Sequence, residues 1–569
     1  MRQPDVVQSP FGRPVRTWVT SIYLLCGLLI TLQAWCVRFS MNPDGISYLD
    51  MADKLLHGDF SPLLHPYWSP LYPFFLALVM KIFPGPAMEF QAAHLVNWLG
   101  AMGSLASFTF FLSQYLRIQS AAKGTQSATG DRCRTGFAYA LFLWGILEPI
   151  GLAAINPDLF VTAWVYLIAG LYCRLTLIRT QAWTTAAALG IVLGLVGLTK
   201  AAMVPLGCLL LVLLAIPWFT GPVRWSSIAV AVLGFALLIG PYAFLMSRQQ
   251  HHLTFGESGR LNYAWLVQGE IPLHAGWMGQ GAAEGRPLHP PRMLSTDPPV
   301  LEFKDTVHAT YPLWYDPAYF HEGLEVKLDL RKELSALKKS VRTLPWAAGT
   351  SLYPLLAGIL VLAAFAPLRR IYFNLSKSLL FFWSLAALGL FALVTIEPRY
   401  VSPFLVLFWL AAYDAVSPGR LTSASRGAIS VTTVCILLFQ MHAVGKMAAE
   451  TLRLSEQPAD FVVARELARL GLNQGDQIAT LGSGFGAYYA RLARLQIVAN
   501  IGWAGDDASA DASNVVRIPA LNDDQIHAVE DKLRQVGIKA IVSPQNCAAT
   551  AGSIWHPIGD TGYCVALLE

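Results

Sequence analysis

Asn42-Pro43-Asp44-Gly45-Ile46-Ser47-Tyr48-Leu49-Asp50-Met51-Ala52-Asp53-Lys54-Leu55-Leu56-His57-Gly58 is the stretch on which the fold turns. Its apolar residues recur at helical spacing, Asp44 stands where an N-cap belongs, and Gly58 stands where a helix stops. It therefore reads as a short amphipathic helix. A proline-rich segment follows, His65-Pro66-Tyr67-Trp68-Ser69-Pro70-Leu71-Tyr72-Pro73, and then an apolar run to Phe83 that is too short to cross a bilayer. Taken alone, Asp44 is a helix cap, and Asp50 and Asp53 belong to a solvated face.

Outward from this stretch the chain is apolar on both sides. Of its 569 residues 54% are hydrophobic and 14% charged, whereas a soluble domain carries about 25% charged residues. That scarcity excludes a soluble protein, a disordered chain and a disulfide-dense secreted module. The net charge of +5 is what Lys- and Arg-rich inner loops produce, so it does not point to a nucleic-acid partner. The run from Trp18 to Val37 follows Arg2, Arg13 and Arg16 with no small-residue cleavage signature behind it. It reads as an uncleaved signal anchor with the N-terminus inside.

Further apolar stretches begin near Gln91, Thr135, Leu159, Trp183, Ala201, Ser226, Trp346, Ser378, Tyr400 and Gly427, giving about eleven expected spans and an outward C-terminus. Arg117, Lys123, Arg132 and Arg134 mark one inner loop, and Arg369, Arg370 and Lys377 another. Leu71 to Phe83 is assigned to a helix at the outer interface, since counting it as a span would turn the basic 117–134 loop outward. Three regions then face out: 38–90, 247–345 and the part after about 446. The last reads as a small α/β unit with strands at 477–481, 496–501, 538–542 and 564–568 and helices at 486–495 and 523–535. The fold class is thus an α-helical multi-pass membrane protein, residues 1–445, with a small extracytoplasmic α/β domain, residues 446–569. Ala- and Leu-rich spans with compact inner loops suit a bacterial plasma (inner) membrane.

Six of the eight cysteines fall in spans or inner loops. Cys547 and Cys564 share the outward unit, where a disulfide is preferred over two free thiols. Gly482-Ser483-Gly484-Phe485-Gly486 lacks the spacing of a dinucleotide fingerprint and reads as a tight strand-to-helix turn without a cofactor. Trp265 and Trp314 in the long outer loop read first as loop core or headgroup anchors and second as sugar contacts.

The remaining polar residues collect at predicted outer helix ends rather than at the membrane midplane, which weighs against an ion-coupled transporter. They are Asn156-Pro157-Asp158, Leu198-Thr199-Lys200 and Glu397-Pro398-Arg399-Tyr400. Asp158 is equally well a helix cap or a ligand-holding acid. Lys200 either snorkels or meets an anion, and Arg399 either pairs with Glu397 or offers its fork of donors to a phosphate.

An outward first loop with Asp at the head of a helix, a His/Pro-rich stretch and a second interfacial helix resembles the GT-C superfamily of integral-membrane glycosyltransferases. The branch it is most similar to holds the protein O-mannosyltransferases and lipid A aminoarabinose transferases. The likeness covers about residues 15–445. It implies a catalytic or metal-associated carboxylate at Asp44, and a donor- or acceptor-holding acid at Asp158. It further implies lipid-phosphate contacts from Lys200 and Arg399, with His65, Glu397 and Tyr400 lining the substrate site. The donor it implies is a sugar on a polyprenyl phosphate, and the acceptor a hydroxyl of a glycan, lipid or protein, in contact with membrane lipid. Where the family often has a second acid this chain has Gly45, so no cofactor is called for and a divalent metal stays open. Two other readings remain: a transporter or flippase of lipid-linked sugar, and a non-catalytic membrane scaffold. An enzyme with its chemistry in the first loops is expected to keep some turnover without residues 450–569, and a scaffold none of its function.

Overall fold

The computed structural model describes residues 13–123, 128–177, 182–220, 223–269, 285–303, 308–347, 349–364, 366–417, 421–453, 458–502, 523–544 and 554–568. Helices come first: α1 (Arg13–Cys36), α2 (Pro43–Leu56), α3 (Leu71–Ile82), α4 (Pro86–Lys123), α5 (Ala128–Gly145), α6 (Asp158–Leu177), α7 (Ala182–Thr199) and α8 (Met203–Leu214). Apolar helices Trp225–Gln250, Leu352–Ala364, Leu379–Ala392, Pro398–Val416 and Ser423–Arg453 follow. Among the described residues six helices are long and apolar enough to cross a membrane, or up to eight if each of two sharply bent pairs is one span. The protein is therefore a multi-pass helical bundle, but the expected count of eleven rests on segments that miss this measure. Thus α8 has 12 residues, and Pro398–Val416 carries Arg399 and Asp414.

Small residues let the bundle close. Gly190 and Gly194, one turn apart on α7, face the helix Trp225–Gln250, and a Cβ at Gly190 would collide with the Ala231 carbonyl. Close backbone approach of this kind replaces the hydrophobic drive that lipid surroundings remove. The bundle core is filled by aromatic side chains, among them Phe108, Phe142, Trp144, Tyr166, Trp383 and Phe404, all fully buried.

The part outside the helical bundle is built around one seven-stranded sheet. Its strands are β1 (Arg292–Thr296), β2 (Pro299–Glu302), β3 (Gln477–Leu481), β4 (Gln496–Ile501), β5 (Ile538–Ser543), β6 (Trp555–Pro557) and β7 (Cys564–Leu567). They lie in the order β1-β2-β4-β3-β5-β7-β6. The centre, β4-β3-β5, is parallel, and antiparallel pairs flank it on both sides. The α/β unit expected at 446–569 is thus completed by the β1–β2 hairpin, which comes from far earlier in the chain, with Val300 opposite Ile501. Four residues of strand are too few for alternation to announce them. Cys564 is disulfide-bonded; its expected partner Cys547 lies outside the described residues.

One face of the sheet packs on the helix Asp523–Gln535 through Val529 and Leu533. The other merges into a single apolar cluster that includes Ile46, Leu49 and Met51 of α2, Tyr72 and Leu76 of α3, and Ile478, Ile497 and Val565 of the sheet. Consequently α2 is buried nearly all round from Gly45 to Ala52. It does not lie with one face in water as expected, and Asp50 is 5% exposed. The solvated-face reading of Asp50 is therefore wrong, and Asp53 is only half-exposed, because a second domain covers the polar side of the helix.

Candidate functional site

The site begins with the entry to α2. Asn42, extended at φ −144° and ψ 161°, precedes Pro43 in the first turn, so Asp44 lies inside the helix and is not its cap. Pro suits this position because the first-turn N–H it lacks has no partner within the helix. Asn42 makes no side-chain cap either; its Oδ1 accepts from the Ile155 backbone N–H at 2.7 Å. That bond ties the start of α2 to the loop carrying Asp158. A Cβ at Gly45 would lie 2.8 Å from Ile155 Cβ and 2.7 Å from Met41 Sδ. The contact between the two loops thus leaves no room for a second acid beside Asp44.

Asp158 opens α6 and is 2% exposed; its backbone N–H donates to Asn156 Oδ1 at 3.0 Å. Lys200, just past the end of α7, donates from Nζ to Asp158 Oδ1 at 2.6 Å, and its ammonium sits 3.2 Å from the Tyr400 ring centroid. Arg399 stands between the two acids, its Nη2 3.5 Å from Asp44 Oδ2 and its Nε 3.7 Å from Asp158 Oδ2. Both distances exceed the ~2.7–2.9 Å of a charge-assisted hydrogen bond, so Arg399 keeps N–H donors for another anion. Trp314 Nε1 donates to Asp44 Oδ1 at 3.2 Å. Burial pulls the Lys200 ammonium down to about 8, against the opposing pull of Asp158. Asp44, Asp158, Lys200, Arg399 and Tyr400, from four separate stretches of chain, thus form one cluster.

Two expected members stand apart. His65 is buried, and its Nδ1 accepts from the backbone N–H groups of Tyr67 and Trp68 at 3.2 and 3.3 Å, so it holds the turn that presents those aromatics. Glu397 precedes the helix Pro398–Val416 without a side-chain cap and is exposed. The alternative Glu397–Arg399 ion pair is not among the described salt bridges; Arg399 faces Asp44 and Asp158 instead.

Sequence reading missed Trp314 as a partner of Asp44; it found the strand-to-helix turn at Gly482–Gly486 but missed that Gly484 and Phe485 line a small cleft with Pro43, Ser47, Tyr311 and Trp314. That turn follows β3, where the chain crosses to β4 on one side while β5 lies on the other, the switch point at which parallel sheets present ligand crevices. A usable signal was present: Asn-Pro-Asp occurs twice, at 42–44 and 156–158, and both aspartates meet Arg399. Among the described residues no three His, Cys, Asp or Glu side chains gather as a metal site. The two clustered carboxylates face Lys200 and Arg399.

The end-to-end architecture now has a counterpart among solved structures. ArnT from Cupriavidus metallidurans bound to undecaprenyl phosphate matches 97% of this chain and 98% of its own with a TM-score of 0.53 at 11% identity. At this identity the likeness is one of fold: the chain is built like that protein from end to end. Also similar are archaeal oligosaccharyltransferase AglB from Archaeoglobus fulgidus in complex with an inhibitory peptide and a dolichol-phosphate, and ArnT in the apo state. AglB has a TM-score of 0.49 and 12% identity, with 94% of this chain and 70% of that one covered. Apo ArnT has a TM-score of 0.43 and 12% identity, with 98% of each chain covered. No family model and no curated protein sequence matches the chain.

Proposed function

We propose that this protein transfers a sugar from a polyprenyl-phosphate donor to an acceptor hydroxyl at the extracytoplasmic face of the membrane. The observation that carries the reading is the meeting of Asp44, Asp158, Lys200 and Arg399 at one place, two acids and two cations brought from distant segments. The solved ArnT complex with undecaprenyl phosphate supports a lipid-phosphate ligand on this fold. In this reading about eleven crossings place the N-terminus inside and the sheet domain outside, with Cys547 and Cys564 paired there.

Asp44, partly exposed and held by the Trp314 N–H, takes the proton of the acceptor hydroxyl as its oxygen attacks the anomeric carbon. The bond from that carbon to the phosphate oxygen breaks, and the electron pair leaves with the polyprenyl phosphate. Lys200 and Arg399 stabilise the growing phosphate charge. Asp158 fixes Lys200 through the 2.6 Å bond and offers a buried Oδ2 that has no hydrogen bond of its own. Tyr400 borders the site beneath the Lys200 ammonium, Glu397 stays exposed just ahead of it, and His65 shapes the 65–68 turn.

The test uses full-length protein in lipid nanodiscs, a panel of undecaprenyl-phosphate monosaccharides and a membrane glycolipid extract as acceptor, with released undecaprenyl phosphate measured. Asp44→Asn keeps the carbonyl oxygen that Trp314 needs and removes the base, so release should fall by about 10²–10⁴-fold with folding intact. Full release by that variant, or none by the parent with any donor, overturns the reading. A flippase would move the donor without releasing phosphate.

A further inference from the structure

The sheet domain meets the first outer loop through a buried charge network that the chemistry above does not use. Arg491, at the short helix Tyr488–Leu492, is 4% exposed on its side chain. Its Nη1 donates to Asp50 Oδ1 at 2.8 Å, its Nε to Glu89 Oε2 at 3.1 Å, and its Nη2 to Glu89 Oε1. Arg494 Nη1 lies 3.3 Å from Glu89 Oε1 and 3.7 Å from Asp53 Oδ2. Two carboxylates of α2 and one from the first turn of α4 thus face two guanidinium groups of the sheet domain. Buried forks of this kind specify geometry more than they add stability.

The geometry specified here includes the position of Asp44. Asp50 lies six residues after Asp44 on one rigid helix, about 9 Å along its axis. Segment 310–314 is fastened to that helix at both places. Thr310 donates to Asp50 from its backbone N at 2.9 Å and its Oγ1 at 2.7 Å, and Trp314 donates to Asp44. The sheet domain holds the same segment from behind. Ile497 N donates to the Thr310 carbonyl at 2.8 Å, Asn500 Nδ2 to Tyr311 Oη at 2.9 Å, and Phe485 packs edge-on against Trp314 at 5.1 Å.

We infer that Arg491 is a positioning residue for sugar transfer. By gripping Asp50 and Glu89 together it sets the spacing between α2 and segment 310–314, and so the place of Asp44 against Trp314. The sheet domain is then a working part of the site. The inference rests on Asp44 being the base of the proposed transfer.

The test is a double-mutant cycle in the undecaprenyl phosphate release assay. Arg491→Met and Trp314→Phe should each lower kcat about tenfold or more, with donor KM within about twofold, since a displacement of about 1 Å in a reacting group can cost ~10²-fold. The double variant should be no slower than the worse single by more than about twofold, because both changes act on one geometry. A role in folding alone would instead multiply the two effects or change the amount of folded protein at constant kcat per folded molecule. Should Arg491→Met fail to fold, Arg491→Lys retains the charge without the fork and carries the same expectation. Wild-type kcat in either variant, multiplicative losses, or failure of both variants to fold overturns the inference. Asp44→Asn run in parallel separates the cases: if it is fully active the base assignment fails, and if it is inactive while the Arg491 variants are normal only the positioning role fails.

Discussion

At the residue scale, Lys200 and Gly45 make opposite demands on the site. Lys200 must be charged to meet a phosphate, yet burial holds its ammonium near 8. The protonated fraction therefore falls as pH rises through about 8, and donor kcat/KM should fall with it. Lys200→Arg, charged throughout this range, should be slower near neutrality and should lose that alkaline limb. A limb unchanged in the variant would show that another group causes it. Gly45 works by absence: the Ile155 and Met41 contacts leave no room for a methyl group. Gly45→Ala should destabilise the protein by about 1–3 kcal/mol, the usual scale of overpacking, and slow transfer by shifting Asp44. Thermal unfolding in nanodiscs checks the first part, and an unchanged transition would contradict it. Asp44 itself stood out in the sequence as a candidate acid because of the Asn-Pro-Asp motif at the head of its helix. Its helix position was not legible, because Pro43 moves the cap back to Asn42.

At the element scale, segment 311–321 is held by contacts of low charge. Trp265 Nε1 donates to His321 Nε2 at 3.2 Å, and His321 Nδ1 meets the Pro317 carbonyl at 2.7 Å. Burial holds the imidazole down to about 4. The unfolded chain, with His near 6.5, takes up the proton first. Stability from this contact is thus present above about pH 6.5 and is lost as pH falls toward 4, by about 3 kcal/mol over that interval. Hydrogen exchange of segment 311–321 should rise on acidification, and His321→Gln should flatten the dependence; equal pH responses would refute the assignment. Helices and central strands were legible from apolar runs, β3, β4, β5 and β7 falling where expected. The β1–β2 hairpin was not, because its residues become a strand only by pairing with β4 across roughly two hundred residues of chain.

At the scale of the whole molecule, the bundle and the sheet domain share one apolar cluster and one charge network. Deleting residues 450–569 would expose the cluster and leave Asp50 and Glu89 without their guanidinium partner. Loss of a buried ion partner costs about 3–5 kcal/mol, so the deletion should abolish release rather than leave the residual turnover that the sequence alone suggested. Substantial release by a truncated protein of normal size-exclusion behaviour would show that the two parts are independent. The same sharing explains why Asp50 and Asp53 misread: helical spacing shows which residues lie on a face, and it is silent about what later chain covers that face.

The sequence by itself determined that this is a multi-pass membrane protein with a small α/β part, because apolar length and charge scarcity are properties of composition read locally. Through the resemblance carried by its short motifs it also singled out Asp44, Asp158, Lys200 and Arg399 as candidates, each of which had an ordinary structural reading when taken alone. Only the tertiary structure decided that these four meet, that Trp314 holds Asp44, and that Arg491 reaches across to α2. Those facts depend on packing between segments as much as 441 residues apart, and no local period or motif encodes such contacts.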